Sequence, residues 1–127
     1  MLLYRPVGLH ELRLIERSGS RAFPPRLPHQ PIFYPVLDLE YARAIARDWN
    51  TKDAASGFAG FVTRFAVDDG FAARYPVHTV GERSHRELWV PAEELQEFHR
   101  HILAPIEVIE SHYGKRYSGS MDAGELA

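Results

Sequence analysis

Pro76-Val77-His78-Thr79-Val80-Gly81-Glu82-Arg83-Ser84-His85-Arg86-Glu87-Leu88-Trp89-Val90-Pro91 is the stretch on which the fold class turns. Residues 76–80 and 86–90 are rich in β-branched and aromatic side chains, and a small polar link, 81–85, separates them. The two runs therefore read as two strands around a short polar connection. Upstream, Phe61, Thr63, Phe65 and Val67 alternate with Val62, Arg64 and Ala66, the period-two pattern of a strand with one better-buried face, which Asp68 and Asp69 end. Residues 70–75 read as one helical turn. Downstream, Pro91 opens a short helix with Glu93 and Glu94 in its first turn and Leu95 and Phe98 toward the core. Ile106 and Val108 mark a last strand.

The N-terminal half supplies two further strands and the longer helices. Leu2 to Arg5 is a short strand stopped by Pro6, and Leu9, Leu12 and Ile15 recur at helical spacing over residues 8–18, with Gly19 where a C-terminal cap belongs. Pro24, Pro25, Pro28 and Pro31 hold residues 20–31 in an extended loop. Ile32-Phe33-Tyr34 is a brief aromatic strand. Asp38 is then the expected N-cap of a helix carrying Leu39, Ala42, Ile45, Ala46 and Trp49 on one face, and Asn50 to Gly57 reads as a loop. Strands and helices are interspersed without strict alternation, which gives an α+β fold: a mixed or antiparallel sheet core with short flanking helices. Residues 1–113 form one domain, and residues 114–127 read as a flexible, frayed tail.

The chain's 127 residues suit that single core, and 45% hydrophobic against 25% charged residues is the balance of a folded domain. A formal charge of -2 argues against a long polyanion or an anionic membrane as partner. There is no cysteine, which excludes disulfides, thiolate nucleophiles and Cys-containing zinc sites. No basic and apolar leader opens the chain and no apolar run reaches membrane length, so the expected location is cytoplasmic. Of the 15 basic residues, 13 are Arg and only Lys52 and Lys115 are Lys. A GC-rich genome produces that bias, and so does a need for fork-shaped donors to phosphate or carboxylate.

Few motifs for chemistry survive inspection. Neither a GxGxxG nor a Walker pattern occurs, and Ser18, Ser56, Ser84 and Ser111 lack a nucleophile-elbow context. His99 and His101 form an HxH pair that does not share a helical face and reads as a surface pair, so no metal is expected. Three dispersed pieces remain: Tyr4-Arg5 on the first strand, Ile32-Phe33-Tyr34 before a helix with Tyr41-Ala42, and Glu87 within Arg86-Glu87-Leu88-Trp89-Val90-Pro91.

In that order these pieces resemble the ADP-ribosyltransferase-like fold over about residues 3 to 113, and the chain is similar to small bacterial proteins that carry an ADP-ribosylation/crystallin label. The resemblance implies NAD bound as substrate between two small sheets, cleavage of its nicotinamide glycosidic bond, and transfer of ADP-ribose to an acceptor. In that reading Glu87 stabilises the ribosyl cation, Arg5 holds the diphosphate and Tyr34 stacks on the ligand, with Tyr4 beside Arg5 on the first strand. Strand neighbours point to opposite faces, so only one of Phe33 and Tyr34 faces the cleft. Arg21 and Arg26, on the proline-stiffened loop, are expected to form one wall of the site. The sequence departs from the family where Arg5-Pro6-Val7 replaces a His-Gly-Thr type of sequence and no Ser-Thr-Ser follows the second strand. His85 stands where arginine-modifying members carry Glu or Gln, which argues against arginine as acceptor.

Each residue has a plainer reading beside that one. Glu87 would be an exposed strand residue paired with Arg83 or Arg86, Arg5 a surface residue before a turn, and the loop a packed connection. On the same fold a non-catalytic nucleotide- or protein-binding module, the regulator or partner of a toxin, is the alternative. An RNA-processing protein using Arg5, Arg21, Arg26 and exposed His residues draws little support from the charge. Trp89 and Tyr75 are candidates for a dimer contact.

Overall fold

The computed structural model describes residues 1–81 and 85–118. It is an α+β arrangement whose main sheet is antiparallel, in the order β1 (Leu2–Val7), β3 (Ala59–Ala66), β7 (Glu107–Tyr113). Leu3 lies opposite Phe65 and Arg5 opposite Thr63, while a bulge between Val62 and Thr63 shifts the register against β7. Helix α1 (Leu9–Arg17) follows β1 directly and buries Leu9, Leu12 and Ile15. Its C-cap Ser18 is followed by Gly19 and Ser20 at positive φ, so the glycine sits just past the cap, where a left-handed residue ends a helix.

A bridging segment extends this sheet toward the remaining strands. Pro35 to Leu37 follow β2 (Ile32–Phe33), and the backbone of Val36 exchanges both hydrogen bonds with Tyr4 at 2.8 Å. On its other side Leu37 N–H donates to Arg86 and Leu88 N–H donates to Pro35, each at 2.9 Å. Val36 is therefore a one-residue strand between β1 and β5 (Arg86–Leu88). β5 pairs antiparallel with β4 (Val77–Thr79), as the short link requires, and β2 pairs with β6 (Val90–Pro91). Residues 82–84 of the link, Ser84 and Arg83 included, lie outside the described residues.

The better-buried face expected of β3 is present, with Phe61, Thr63, Phe65 and Val67 buried and Arg64 and Ala66 only half-buried, but Val62 on the other face is buried as well. Phe61 and Phe65 face a large aromatic core, and Val62 packs on the other side with Val36, Ala42 and Ala46 beneath helix α2 (Leu39–Asp48). A central strand covered on its second face by a helix gains such a buried position there. Phe23, Phe33, Phe65, Phe71 and Phe98 form the larger core, with Phe23 edge-on to Phe65 at 5.0 Å and Phe33 edge-on to Phe98 at 5.7 Å. Asp68 caps α3 (Asp69–Ala72) by accepting from Phe71 N–H at 2.9 Å, and α4 (Leu95–Arg100) buries Leu95 and Phe98 as expected.

Several sequence expectations need correction. Asp38 precedes α2 but makes no side-chain cap; its carboxylate instead accepts from the backbone and guanidinium of Arg86, which ties the helix entrance to β5. Only Ala42 and Ala46 of the expected apolar face are buried, and Trp49 is 60% exposed. Tyr75 is no surface aromatic: it is buried, and its hydroxyl donates to Glu94 at 2.6 Å. Nor are His99 and His101 a surface pair, since His99 accepts Phe23 N–H at 3.0 Å and His101 stacks on Phe71 at 3.9 Å. Residues 114–118 of the expected tail continue the fold: Gly114 N–H donates to Phe58 at 2.8 Å and Tyr117 packs against the core. The rest of that segment, 119–127, lies outside the described residues.

Candidate functional site

An open cleft of about 730 Å³ lies where the C-terminal end of β1, α2, the proline-rich loop and β5 converge. Arg5, Arg26, Tyr34 and Glu87 all line it, although up to 82 residues of chain separate them (87 − 5). Tyr4 and Arg21 do not. Tyr4 alternates with Arg5 along β1 and packs instead on the small core under α2, and Arg21 is exposed on the loop. The loop thus contributes one arginine to the wall, not two.

Glu87 is the centre of the arrangement. Its residue is 8% exposed, and its carboxylate accepts from Tyr41 Oη at 3.2 Å and from Trp89 Nε1 at 2.8 Å. Trp89 reaches it because the extended chain just past β5 turns residues two apart to the same side, and Tyr41 comes from the first turn of α2. Arg86, the plainer partner considered for Glu87, is spent on Asp38 at 2.7 Å, and Arg83 lies outside the described residues. Among the described residues no cation pairs with Glu87. A buried carboxylate is thereby held by two neutral donors that orient it without cancelling its charge. Burial, then the Glu87 charge, raises Tyr41 above its ordinary value, which keeps its hydroxyl protonated and donating.

The basic side of the cleft is equally built. Arg5 donates from Nε to Glu11 at 2.9 Å and lies with its guanidinium carbon 4.8 Å above the centre of the Phe33 ring. Phe33 is fully buried beneath it while Tyr34 opens into the cleft, edge-on to Trp89 at 6.3 Å. Arg26 donates from Nε to the Ile32 carbonyl at 3.0 Å. Burial, reinforced by the neighbouring Arg5, pushes the Arg26 guanidinium below its usual value. The Glu11 carboxylate, paired with Arg5 and also felt by Arg26, offsets part of that repulsion and sits in the same cleft wall.

The far end is a polar corner absent from the sequence expectations. Ser56 donates to Asp53 at 2.6 Å and so accepts from Asn50 Nδ2 at 2.9 Å, an arrangement that fixes the orientation of the amide. Asn50 Oδ1 is buried and has no donor among the described residues. Gly8 allows this corner to close against β1, since a side-chain carbon there would lie 2.6 Å from Ser56. Trp49 and Trp89, the only two tryptophans of the chain, both line the cleft. His85 stacks on Tyr41 at 4.3 Å, outside the cleft lining.

The described residues contain no group of three His, Cys, Asp or Glu side chains placed to hold a metal ion, and no helix among them is long and apolar enough to cross a membrane. Comparison of the chain with protein-family models, with curated proteins and with solved structures finds no match.

Proposed function

We propose that the cleft binds NAD and that the protein is an ADP-ribosyltransferase-like enzyme, with Glu87 as the residue that stabilises the reacting sugar. The observation that carries this reading is a buried carboxylate, oriented by Tyr41 and Trp89 and free of a cationic partner among the described residues, in a cleft that also presents Arg5 and Arg26. The C1′–N bond of NAD breaks with its electron pair going to the nicotinamide nitrogen, which becomes neutral. Positive charge then develops on the ribose. A fixed negative charge in a poorly hydrated site stabilises that transition state more than the ground state and accepts a hydrogen bond from a ribose hydroxyl. The acceptor's nucleophilic atom attacks C1′ and loses its proton. Arg26, with Arg5 beside it, offers donors to the diphosphate, and Tyr34 and Trp89 offer aromatic surface to the planar ring.

A second reading is a non-catalytic nucleotide-binding module on the same fold. It is favoured by the Arg5–Glu11 pair and by the two hydrogen bonds Glu87 already accepts, both of which serve structure as they stand. Incubation of the pure protein with NAD separates the two. The enzyme reading expects nicotinamide release by the wild type that falls by about 100-fold or more in Glu87→Gln. Release that survives in Glu87→Gln overturns the role of Glu87, and NAD binding without release favours the module.

A further inference from the structure

Behind the 3₁₀ turn Asn50–Lys52 lies a second, smaller pocket of about 420 Å³. Asn50 lines the large cleft, whereas Thr51 and Lys52 line this pocket, so the turn is the wall between them. The two lysines of the entire chain, Lys52 and Lys115, both stand on its rim, and Arg116 joins them. Three cations without an acidic side chain in the lining are conspicuous on a chain of net charge -2. Among the described residues neither lysine has an ion-pair partner. Asp48, which feels the charge of Lys52, is engaged by Arg47 through two hydrogen bonds of 2.8 Å.

The pocket is held in shape by backbone. Gly114 fits against Thr51 where any side chain would strike the Thr51 carbonyl, and its own carbonyl accepts Tyr117 N–H at 3.1 Å. Lys115 and Arg116 are the two corner residues of the turn this bond closes. On the opposite side Phe58 has φ of 58°, a left-handed conformation that a bulky residue adopts only under strain. That conformation brings its ring 4.8 Å from the Arg116 guanidinium carbon, and Tyr113, 57% exposed, supplies a second ring. Aromatic rings bordered by cations that have no ion-pair partner among the described residues suit a planar group that carries a dianion.

We propose that this pocket is a separate binding site for a nucleoside monophosphate, its base against Phe58 and Tyr113 and its phosphate between Lys52, Lys115 and Arg116. The pocket's volume accommodates one such unit. The site stands on residues independent of the large cleft.

AMP titrated into the full-length ¹⁵N-labelled protein tests this by NMR. Expected are saturable shifts of the Phe58, Gly114, Lys115 and Arg116 amides, and affinity at least about tenfold weaker in the Lys52→Gln/Lys115→Gln double variant. Adenosine and inorganic phosphate should each bind at least about tenfold more weakly than AMP, because each lacks half of the recognised chemistry. Both lysines are exposed, so an unchanged thermal midpoint serves as the check that the variant is folded. Absence of shifts at these four amides, equal affinity in the double variant, or inorganic phosphate as tight as AMP would overturn the proposal. The Arg5 and Tyr34 amides report the large cleft in the same spectra, so failure of one site is distinguishable from failure of the other.

Discussion

Replacing Glu87 by glutamine and by leucine should have very different consequences for stability, and the difference follows from the two donors that hold it. Trp89 Nε1–H can only donate, so in Glu87→Gln the new side chain must turn its oxygen toward Trp89 and its amide toward Tyr41, whose hydroxyl then accepts in place of donating. Both contacts survive. Each weakens by about 1 kcal/mol on losing the charge, but the neutral amide is cheaper to desolvate by a comparable amount, so the net change should stay within about 1 kcal/mol. Leucine offers no acceptor. Tyr41 and Trp89 then lose their partner, at about 1–3 kcal/mol for each donor that stays dry, and Trp89 is 41% exposed and recovers part of its share from water. Glu87→Leu should therefore cost about 2–4 kcal/mol in all. Urea unfolding followed by tryptophan fluorescence measures both. A glutamine variant as unstable as the leucine variant, or a leucine variant as stable as wild type, would refute the hydrogen-bonded arrangement.

Burial holds His99 below its ordinary value of 6.5, so it stays neutral in the fold while the unfolded chain takes up a proton first as pH falls. Its contribution is therefore intact above about 6.5 and declines below it; unfolding about one unit to either side should show the loss, and His99→Gln, which keeps an acceptor for Phe23 N–H, should reduce the pH dependence. Equal pH dependence in the variant would refute that role. Gly114→Ala should destabilise the chain by about 1–3 kcal/mol, because the colliding atom is the Thr51 carbonyl and neither backbone can yield cheaply; a thermal midpoint equal to wild type would refute that close approach.

What could be read from the sequence was local. The apolar repeats of α1, the two strands on either side of residues 81–85 and the aromatic character of β2 follow from period and composition, and the structure has them. Burial on both sides of β3 was not legible, because Val62 counts as a core residue only once α2 is known to cover it. The same limit applied to the site. Arg5, Arg26, Tyr34 and Glu87 carried enough chemistry to be singled out, but the partners of Glu87 come from a helix 46 residues away and from Trp89, two residues on and just past the end of β5. The strand spacing of Glu87 and Trp89 was a usable signal; the approach of Tyr41 was not. Asp38 misled because a helix-capping residue can equally take a distant arginine, and Arg21 because proximity in a loop says nothing about which way a side chain turns.

Trp49 and Trp89 make the central claim directly measurable. Both line the cleft and no other tryptophan exists in the chain, so emission excited at the red edge of the indole band reports on that cleft, and Trp89, remote from the Asn50–Lys52 turn in the chain, does so on its own in Trp49→Phe. Titration with NAD should change the emission saturably, and Arg26→Ala should shift the half-saturation point upward by about tenfold, the effect of losing one charge-assisted contact to the diphosphate. No change of emission at any NAD concentration, or a curve identical in Arg26→Ala, would contradict the assignment of this cleft to a dinucleotide.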